Sequence, residues 1–370
     1  MKGSKELIRD TLLKLDGISD NDEWVDLVDR YELDCSPDHL RKLAYGFRMY
    51  RDVMGEDSNE TEELVKLKKE RQKVSDLRNS LQRDLRKLAR IEDFNEIIIN
   101  ECKNLPDFKL KYTSKVKLYN ENKDAILLIS DIHYDGQEEV IYKFNKIINY
   151  TIDKCKFNHV NKLIVCLAGD LINNEFRTTS RIENRESISK QITGVSKLIS
   201  DGIYELAKNI PYICVASVVG NHSRTISDYK ESMTTDNYLC LINELIELRL
   251  NDVTNVVFLD NFEGDDRFTL FKIKDKTYCL THGDGLKGLQ KNAIPTIEGY
   301  LRTNIDYLLL GHFHQIQDFM FFDKRIIING AINNNFDYSK KKFLNTPCYQ
   351  RLMILDEQGD IECTYDIKLK

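Results

Sequence analysis

The sequence predicts an α/β protein, a sandwich built on two sheets over residues 120–370, with a helical module ahead of it. Three observations carry that expectation. The first third reads as helix. From residue 125, short apolar runs alternate with longer amphipathic segments. The tail beyond residue 319 is one short apolar run after another.

Glu6 to Leu15 is a short amphipathic stretch, and Asn21 to Tyr31 opens on an Asn/Asp cap and carries Trp24, Leu27 and Val28. Ser36-Pro37-Asp38 reads as a cap with proline at the first helical position, opening a helix through His39, Leu40, Leu43, Phe47 and Met49. Glu32-Leu33-Asp34-Cys35 joins the two at roughly the spacing of a helix-turn-helix, so residues 1–55 are expected to form such a module. Gly55 to Glu60 is a polar break. Thr61 to Arg90 lacks Gly and Pro and is rich in Leu, Lys, Glu, Gln and Arg, which predicts a charged helical arm over 56–100.

Strands are expected at Ala125–Ile129, Leu163–Ala168, Ile213–Val219, Val256–Leu259, Tyr278–Thr281 and Tyr307–Leu310. Helices are expected at Glu138–Lys154, Ile188–Lys208 and Asn237–Leu250. The tail adds strands at Phe319–Phe322, Ile326–Asn329, Gln350–Leu355 and Ile361–Ile367.

Composition sets the class. The 370 residues carry 54 Lys+Arg against 60 Asp+Glu, and 41% are hydrophobic, enough for a sizeable core in a soluble protein. The average of −6 hides blocks: Asp20 to Asp38 is nearly all acidic, whereas Lys66 to Arg90 is mostly basic. No apolar run approaches the roughly 18–20 residues that cross a bilayer, and the start has no apolar segment of a secretory signal. The nine cysteines are scattered with no CxxC pair, which argues against a disulfide framework or a thiolate zinc module. A cytoplasmic protein without membrane contact is expected.

The chemistry gathers at strand ends. The run 125–130 leads into Asp131-Ile132-His133, and 163–168 into Gly169-Asp170. The run 213–219 leads into Gly220-Asn221-His222, 278–281 into His282-Gly283-Asp284, and 307–310 into Gly311-His312-Phe313-His314. Five of the seven histidines sit here, while His39 and His159 belong to no cluster. Ligands of open α/β sheets bind outside the carboxyl ends of strands, so these loops are expected to meet in one crevice. Strand alternation would point Asp131 and His133 the same way, and His312 and His314 would do so from a bent loop. Carboxylate, imidazole and amide oxygen suit Mn²⁺, Fe²⁺ or Zn²⁺ better than Ca²⁺. Asp170 has two oxygens and can bridge a pair of cations, which together hold the attacking and leaving oxygens of a displacement at phosphorus. Gly169, Gly220 and Gly311 would let the backbone turn close to a phosphate.

The pattern D-x-H, GD, GNH, H and GHxH resembles the calcineurin-like metallophosphoesterase superfamily over roughly residues 123–370. The resemblance implies a four-layer α/β-β/α sandwich and a dinuclear phosphoester hydrolase. It implies that Asp131, His133 and His314 hold one metal, that Asn221, His282 and His312 hold the other, and that Asp170 bridges. It makes His222 the catalytic acid beside the phosphate rather than a ligand. Mn²⁺ is the expected metal, with Fe²⁺, Zn²⁺ or Mg²⁺ as alternatives. Asn173 and Ser223 stand where protein phosphatases and SbcD-type DNA-repair nucleases carry other residues. The Ser36-to-Lys42 helix start, the basic arm, Gly-Asn-His-Ser-Arg and Asn329-Gly330-Ala331 are similar to bacteriophage and prophage metallophosphoesterases of DNA-repair-exonuclease type.

Arg224, next to the catalytic histidine, is expected to grip a phosphate oxygen. Arg177, Arg181 and Arg185 recur every four residues and would form a basic stripe on a helix. Asn333–Asn335 with Phe336, Tyr338 and Lys340–Lys342 combines amides, aromatics and base, a composition that suits a single strand. The reading is therefore a two-metal nuclease of a bacterial or phage-infected cell, with DNA preferred to RNA, able to dimerise through its arm. A small-molecule phosphatase or phosphodiesterase acting on nucleotides is the alternative, and a DNA-binding assembly protein using the sandwich as scaffold is the third.

Overall fold

The protein is described from a computed structural model. It describes residues 4–17, 23–54, 69–78, 95–96, 98–100, 102–103, 108–121, 123–175, 184–226, 236–286, 289–333 and 347–369. Two compact units emerge, Met1–Arg90 and Ile91–Lys370. Arg177 and Arg181, the loop from Asn334 to Lys342 and most of the basic arm lie outside the described residues.

In the first unit, helices α1 (Ser4–Leu15), α2 (Trp24–Arg30) and α3 (Pro37–Met54) pack on one another. The α2 start uses Glu23 and Asp26 as a reciprocal capping box, and the Ser36 hydroxyl accepts from His39 N at 3.2 Å to open α3. Leu27, Leu40 and Ala44 are buried between them. Residues 69–78 of the arm are helical. No helix among the described residues is long and apolar enough to cross a membrane.

The second unit is a sandwich of two mixed sheets. Its strands are β1 (Lys111–Tyr112), β2 (Lys123–Ile129), β3 (Val160–Leu167), β4 (Tyr212–Ser217), β5 (Asp252–Val253) and β6 (Val256–Phe258). They continue as β7 (Thr269–Ile273), β8 (Lys276–Thr281), β9 (Tyr307–Leu310), β10 (Gln317–Phe321), β11 (Lys324–Ile328), β12 (Cys348–Leu355) and β13 (Ile361–Leu369). One sheet runs β13-β12-β2-β3-β4-β6 and the other β10-β11-β9-β8-β7. The neighbours β2, β3, β4 and β6 are parallel, as are β11, β9 and β8, so each sheet has a parallel centre.

Strand periodicity builds the layers. Ala125, Leu127 and Ile129 of β2 and Leu163, Val165 and Leu167 of β3 face helices α4 (Glu138–Phe157), α5 (Ile188–Ala207) and α6 (Tyr238–Leu250). The alternate residues Ile126, Leu128, Ile164 and Cys166 face the second sheet, where they meet Tyr278, Leu280, Tyr307 and Leu309. Cys279, Leu308 and Leu310 then point to the far side, against Ile294, Ile297 and Leu301 of α7 (Leu289–Leu301). Three apolar layers thus separate four layers of structure, the α/β-β/α order expected. Strands buried on both faces read as continuous apolar runs, which is why the sequence displayed them clearly. The edge strand β7 and the Pro295-containing α7 were not anticipated, because neither has such a run.

Residues ahead of the sandwich also join its core. Ile98, Ile99, Cys102, Phe108, Leu110 and Tyr112 pack against the helix layer, and β1 pairs with β5.

Candidate metal centre

The parallel strands β2, β3, β4, β8 and β9 all end at one edge, and the loops that leave them bring seven expected ligands together. Asp131, His133 and His314 form one set of converging donor atoms, and Asp170, His282 and His312 form another. His133 Nε2 and His314 Nε2 lie 3.2 Å apart, and His314 Nε2 lies 3.3 Å from Asp131 Oδ1. In the second set, His282 Nε2 is 3.2 Å from Asp170 Oδ2, 3.3 Å from His312 Nδ1 and 3.2 Å from Asn221 Oδ1. Asp170 Oδ2 reaches towards the first set as well, 4.0 Å from His133 Nε2.

The expected reason for the Asp131–His133 pairing needs correction. Both residues lie beyond the end of β2 and have left-handed backbones, φ 52° and 46°, so strand alternation does not aim them. Asp170, His312 and His314 share that conformation, with φ of 49°, 69° and 56°. Non-glycine residues avoid this region, at a cost of order 1–3 kcal/mol each, and hold it only where the surroundings over-determine it. Here backbone bonds between loops do so. Asp131 N donates to Gly169 O, His133 N to Asp170 O and Gly311 N to His282 O, while His312 N donates to both Asp131 oxygens.

The glycines also serve differently from expectation. Gly169 has φ +82° and does turn the chain. Gly220 matters for its missing side chain, because a Cβ there would stand 2.2 Å from Asp170 N and 2.3 Å from its Oδ1.

His222 has its Nδ1 2.7 Å from Asn173 O and sets its ring edge-on to His133, with centroids 4.6 Å apart. One of its ring nitrogens comes within reach of the donors of His133 and Asp170. Its backbone N–H donates to Asp170 Oδ1 at 2.7 Å. Asn174 Nδ2 bonds the carbonyls of His222 and Arg224, and its own N–H donates to Gln191 on α5. Asn173, notable in the sequence only as a departure from other branches, and its neighbour Asn174 therefore hold the His222 loop. Arg224 lies beside the centre, partly buried, and its Nε donates to Asn221 O at 2.8 Å. Of the basic stripe, Arg185 is described. His39 is on α3 of the first unit, and His159 is stacked on Tyr119 and paired with Glu121.

Beneath Asp131 runs a polar network that sequence reasoning missed. Gln350 Oε1 accepts from Ser130 N and from Asn329 Nδ2, and Gln350 Nε2 donates to Gly330 O. Asn329 Nδ2 also reaches Leu128 O and Ser130 Oγ. All of these side chains are fully buried. The available signal was a glutamine inside strand β12, whose burial is otherwise carried mainly by apolar residues.

The calcineurin-like phosphoesterase family matches residues 125–316, just over half of the sequence. The chain belongs to that family. Similar solved structures include an archaeal phosphodiesterase, 16% identical over 66% of this chain and 99% of its own, with a TM-score of 0.34. Vacuolar protein sorting 29 of Cryptosporidium parvum is 15% identical over 67% of this chain and 100% of its own, TM-score 0.33. Vps29 of Entamoeba histolytica, complexed with zinc, is 11% identical over 66% of this chain and 99% of its own, TM-score 0.32. No curated protein matches significantly.

A calcineurin-like phosphoesterase acts on phosphoesters with divalent metal ions, and the donor set fits such ions. Donor atoms bound about 2.0–2.2 Å from a shared cation sit roughly 3.0–3.4 Å from one another, the spacing of His314 to His133 and Asp131 and of His282 to Asp170 and His312. His133 Nε2 and Asp131 Oδ1 stand 3.9 Å apart. Asp131 and Asp170 are buried carboxylates that need positive charge nearby. Burial opposes ionisation of Asp170, yet the imidazoles of His282 and His222 hold its carboxyl well below the usual range. Burial likewise opposes charge on His282, but Asp170 and Asp131 push its pKa up to about 10. Burial and the neighbouring His222 drive His133 well below the ordinary histidine value, leaving it a neutral ring suited to ligation. The remaining nitrogen of His282 is 2.7 Å from Ala168 O, which fixes its tautomer and orientation.

Proposed function

We propose that this protein hydrolyses nucleic-acid phosphodiesters with two divalent cations. The observation that carries the reading is the pair of donor sets meeting at Asp170. Asp131, His133 and His314 would hold one ion, and Asn221, His282 and His312 the other, with the Asp170 carboxylate shared between them. Such ions, when bound, supply Lewis-acid charge to the attacking and leaving oxygens of an in-line displacement.

The chain's own residues do the rest. His222 keeps Nδ1 on Asn173 O, so its Nε2 is the nitrogen that gives a proton to the departing sugar oxygen. Arg224 fixes the Asn221 backbone and adds positive charge beside the phosphate. The centre opens on the side of Asn221, His222, His312 and His314, all of which keep some exposure. An open face admits a polymer. The first unit separately carries exposed Lys69, Arg71, Lys73 and Arg78 on helix 69–78, cations of the kind that neutralise phosphates.

The test offers the full chain, with Mn²⁺, a chromogenic diester, a chromogenic monoester, and labelled single- and double-stranded DNA. Cleavage of diester and DNA is expected. Hydrolysis of the monoester alone would overturn the reading, and cleavage of nucleotide diesters without DNA would make the substrate a small molecule.

A further inference from the structure

A cavity of about 380 Å³ adjoins the second donor set. Asn221 belongs to both, and Thr281 and Gly283, the neighbours of His282, also line it. Its floor is apolar and aromatic, with Phe268, Ile297 and Tyr300, while Arg224 stands at the end near the centre. A phosphate at the donor sets would therefore have this space directly beside it.

Tyr300 is held as a platform. Its hydroxyl donates to Asp265 Oδ2 at 3.1 Å and accepts from Arg267 Nη2 at 2.6 Å. Arg267 is itself forked onto Asp265, through Nε to Oδ1 at 2.9 Å and Nη2 to Oδ2 at 2.6 Å. The Arg267 guanidinium lies over the rings of Tyr300 and Phe268, at 5.2 and 5.5 Å from their centroids. The two rings are 5.7 Å apart and tilted by 37°. Even so braced, Tyr300 remains 59% exposed. An immobilised aromatic with an open surface loses little entropy on stacking a planar partner. Asp284 and Thr296, exposed at the lining, offer an acceptor and a hydroxyl to the edge of that partner.

We infer that this cavity is a nucleobase subsite: it takes the base of the nucleotide adjoining the scissile phosphate, stacked at Tyr300 and Phe268, with Arg224 on the phosphate side. The assignment rests on the proposed phosphodiesterase reading and names the substrate moiety recognised there. A stacked base is sequence-tolerant, because every base has a π-face.

Two measurements on the full chain with Mn²⁺ test it. Calorimetry compares thymidine monophosphate with inorganic phosphate, and kinetics compares a thymidine p-nitrophenyl diester with methyl p-nitrophenyl phosphate. The nucleotide should bind about five- to hundredfold tighter than phosphate, the range of one base on one aromatic. Tyr300→Ala, and Thr296→Trp filling the cavity, should each erase most of that difference. Each should also raise KM for the nucleoside diester by a similar factor relative to the methyl diester. Equal affinity of nucleotide and phosphate for the unaltered protein would overturn the assignment. So would a variant effect equal on both diesters, which would place the leaving aromatic in the cavity. If the unaltered protein cleaves neither diester, the phosphodiesterase reading fails, and nucleotide binding still decides the subsite.

Discussion

His133 and His314 direct their Nε2 atoms at one another across 3.2 Å, although 181 residues separate them in the chain. Two imidazole nitrogens at this spacing can ligate a common cation, and Asp131 completes the set. The same convergence at His282 and His312 makes Asp170 the hinge of the centre.

Asp170→Asn should therefore remove more than metal affinity. In the proposed two-cation centre, losing the carboxylate charge would leave both ions without a shared anion, and hydrolysis should fall at least about a hundredfold. Steady-state rates with Mn²⁺, together with elemental analysis of the purified variant, check this. A rate above a tenth of the original would contradict a shared-ligand centre, and chelation of the unaltered protein should match the variant.

His222→Ala separates a ligand from an acid. The ring lies within donor distance of His133 and Asp170, so distance alone permits either role. As the acid, its removal should cost roughly 10²–10⁴ in rate with metal content unchanged. Loss of metal would reassign it as a ligand.

Gly220→Ala tests the close approach behind Asp170. The new Cβ would meet the Asp170 backbone nitrogen at 2.2 Å, and backbone cannot yield as a side-chain tip can. We expect at least a tenfold loss of activity, with the fold retained by circular dichroism. Gly299→Ala on α7, which meets nothing within 4 Å, should be neutral or slightly stabilising.

Gln350→Leu probes the network under Asp131. It would strand the Ser130 N–H in a dry interior, at about 1–3 kcal/mol, and leave the Gly330 carbonyl with the Ser130 hydroxyl as its remaining donor. Denaturant unfolding should show a loss of about 1–3 kcal/mol. Mn²⁺ affinity should also fall, since Ser130 directly precedes Asp131. Unchanged stability would mean the network reforms around another donor.

The sequence by itself determined the layered α/β architecture and the identity of the converging residues. Apolar runs such as Ala125–Ile129 are local signals, and strands buried on both faces display them without help from their partners. Asp-x-His and Gly-His-x-His are likewise contiguous, so the donors announced themselves. Only the tertiary structure decided how the donors are aimed. The left-handed backbones at Asp131, His133 and Asp170 depend on hydrogen bonds between loops from different strands, which no local propensity encodes. The buried Gln350–Asn329–Ser130 network, the grip of Asn174 on the His222 loop and the bracing of Tyr300 by Arg267 were hidden for the same reason. Each joins residues 21 to 220 positions apart, and a hydrogen bond between such partners exists only once packing has excluded water and fixed both ends.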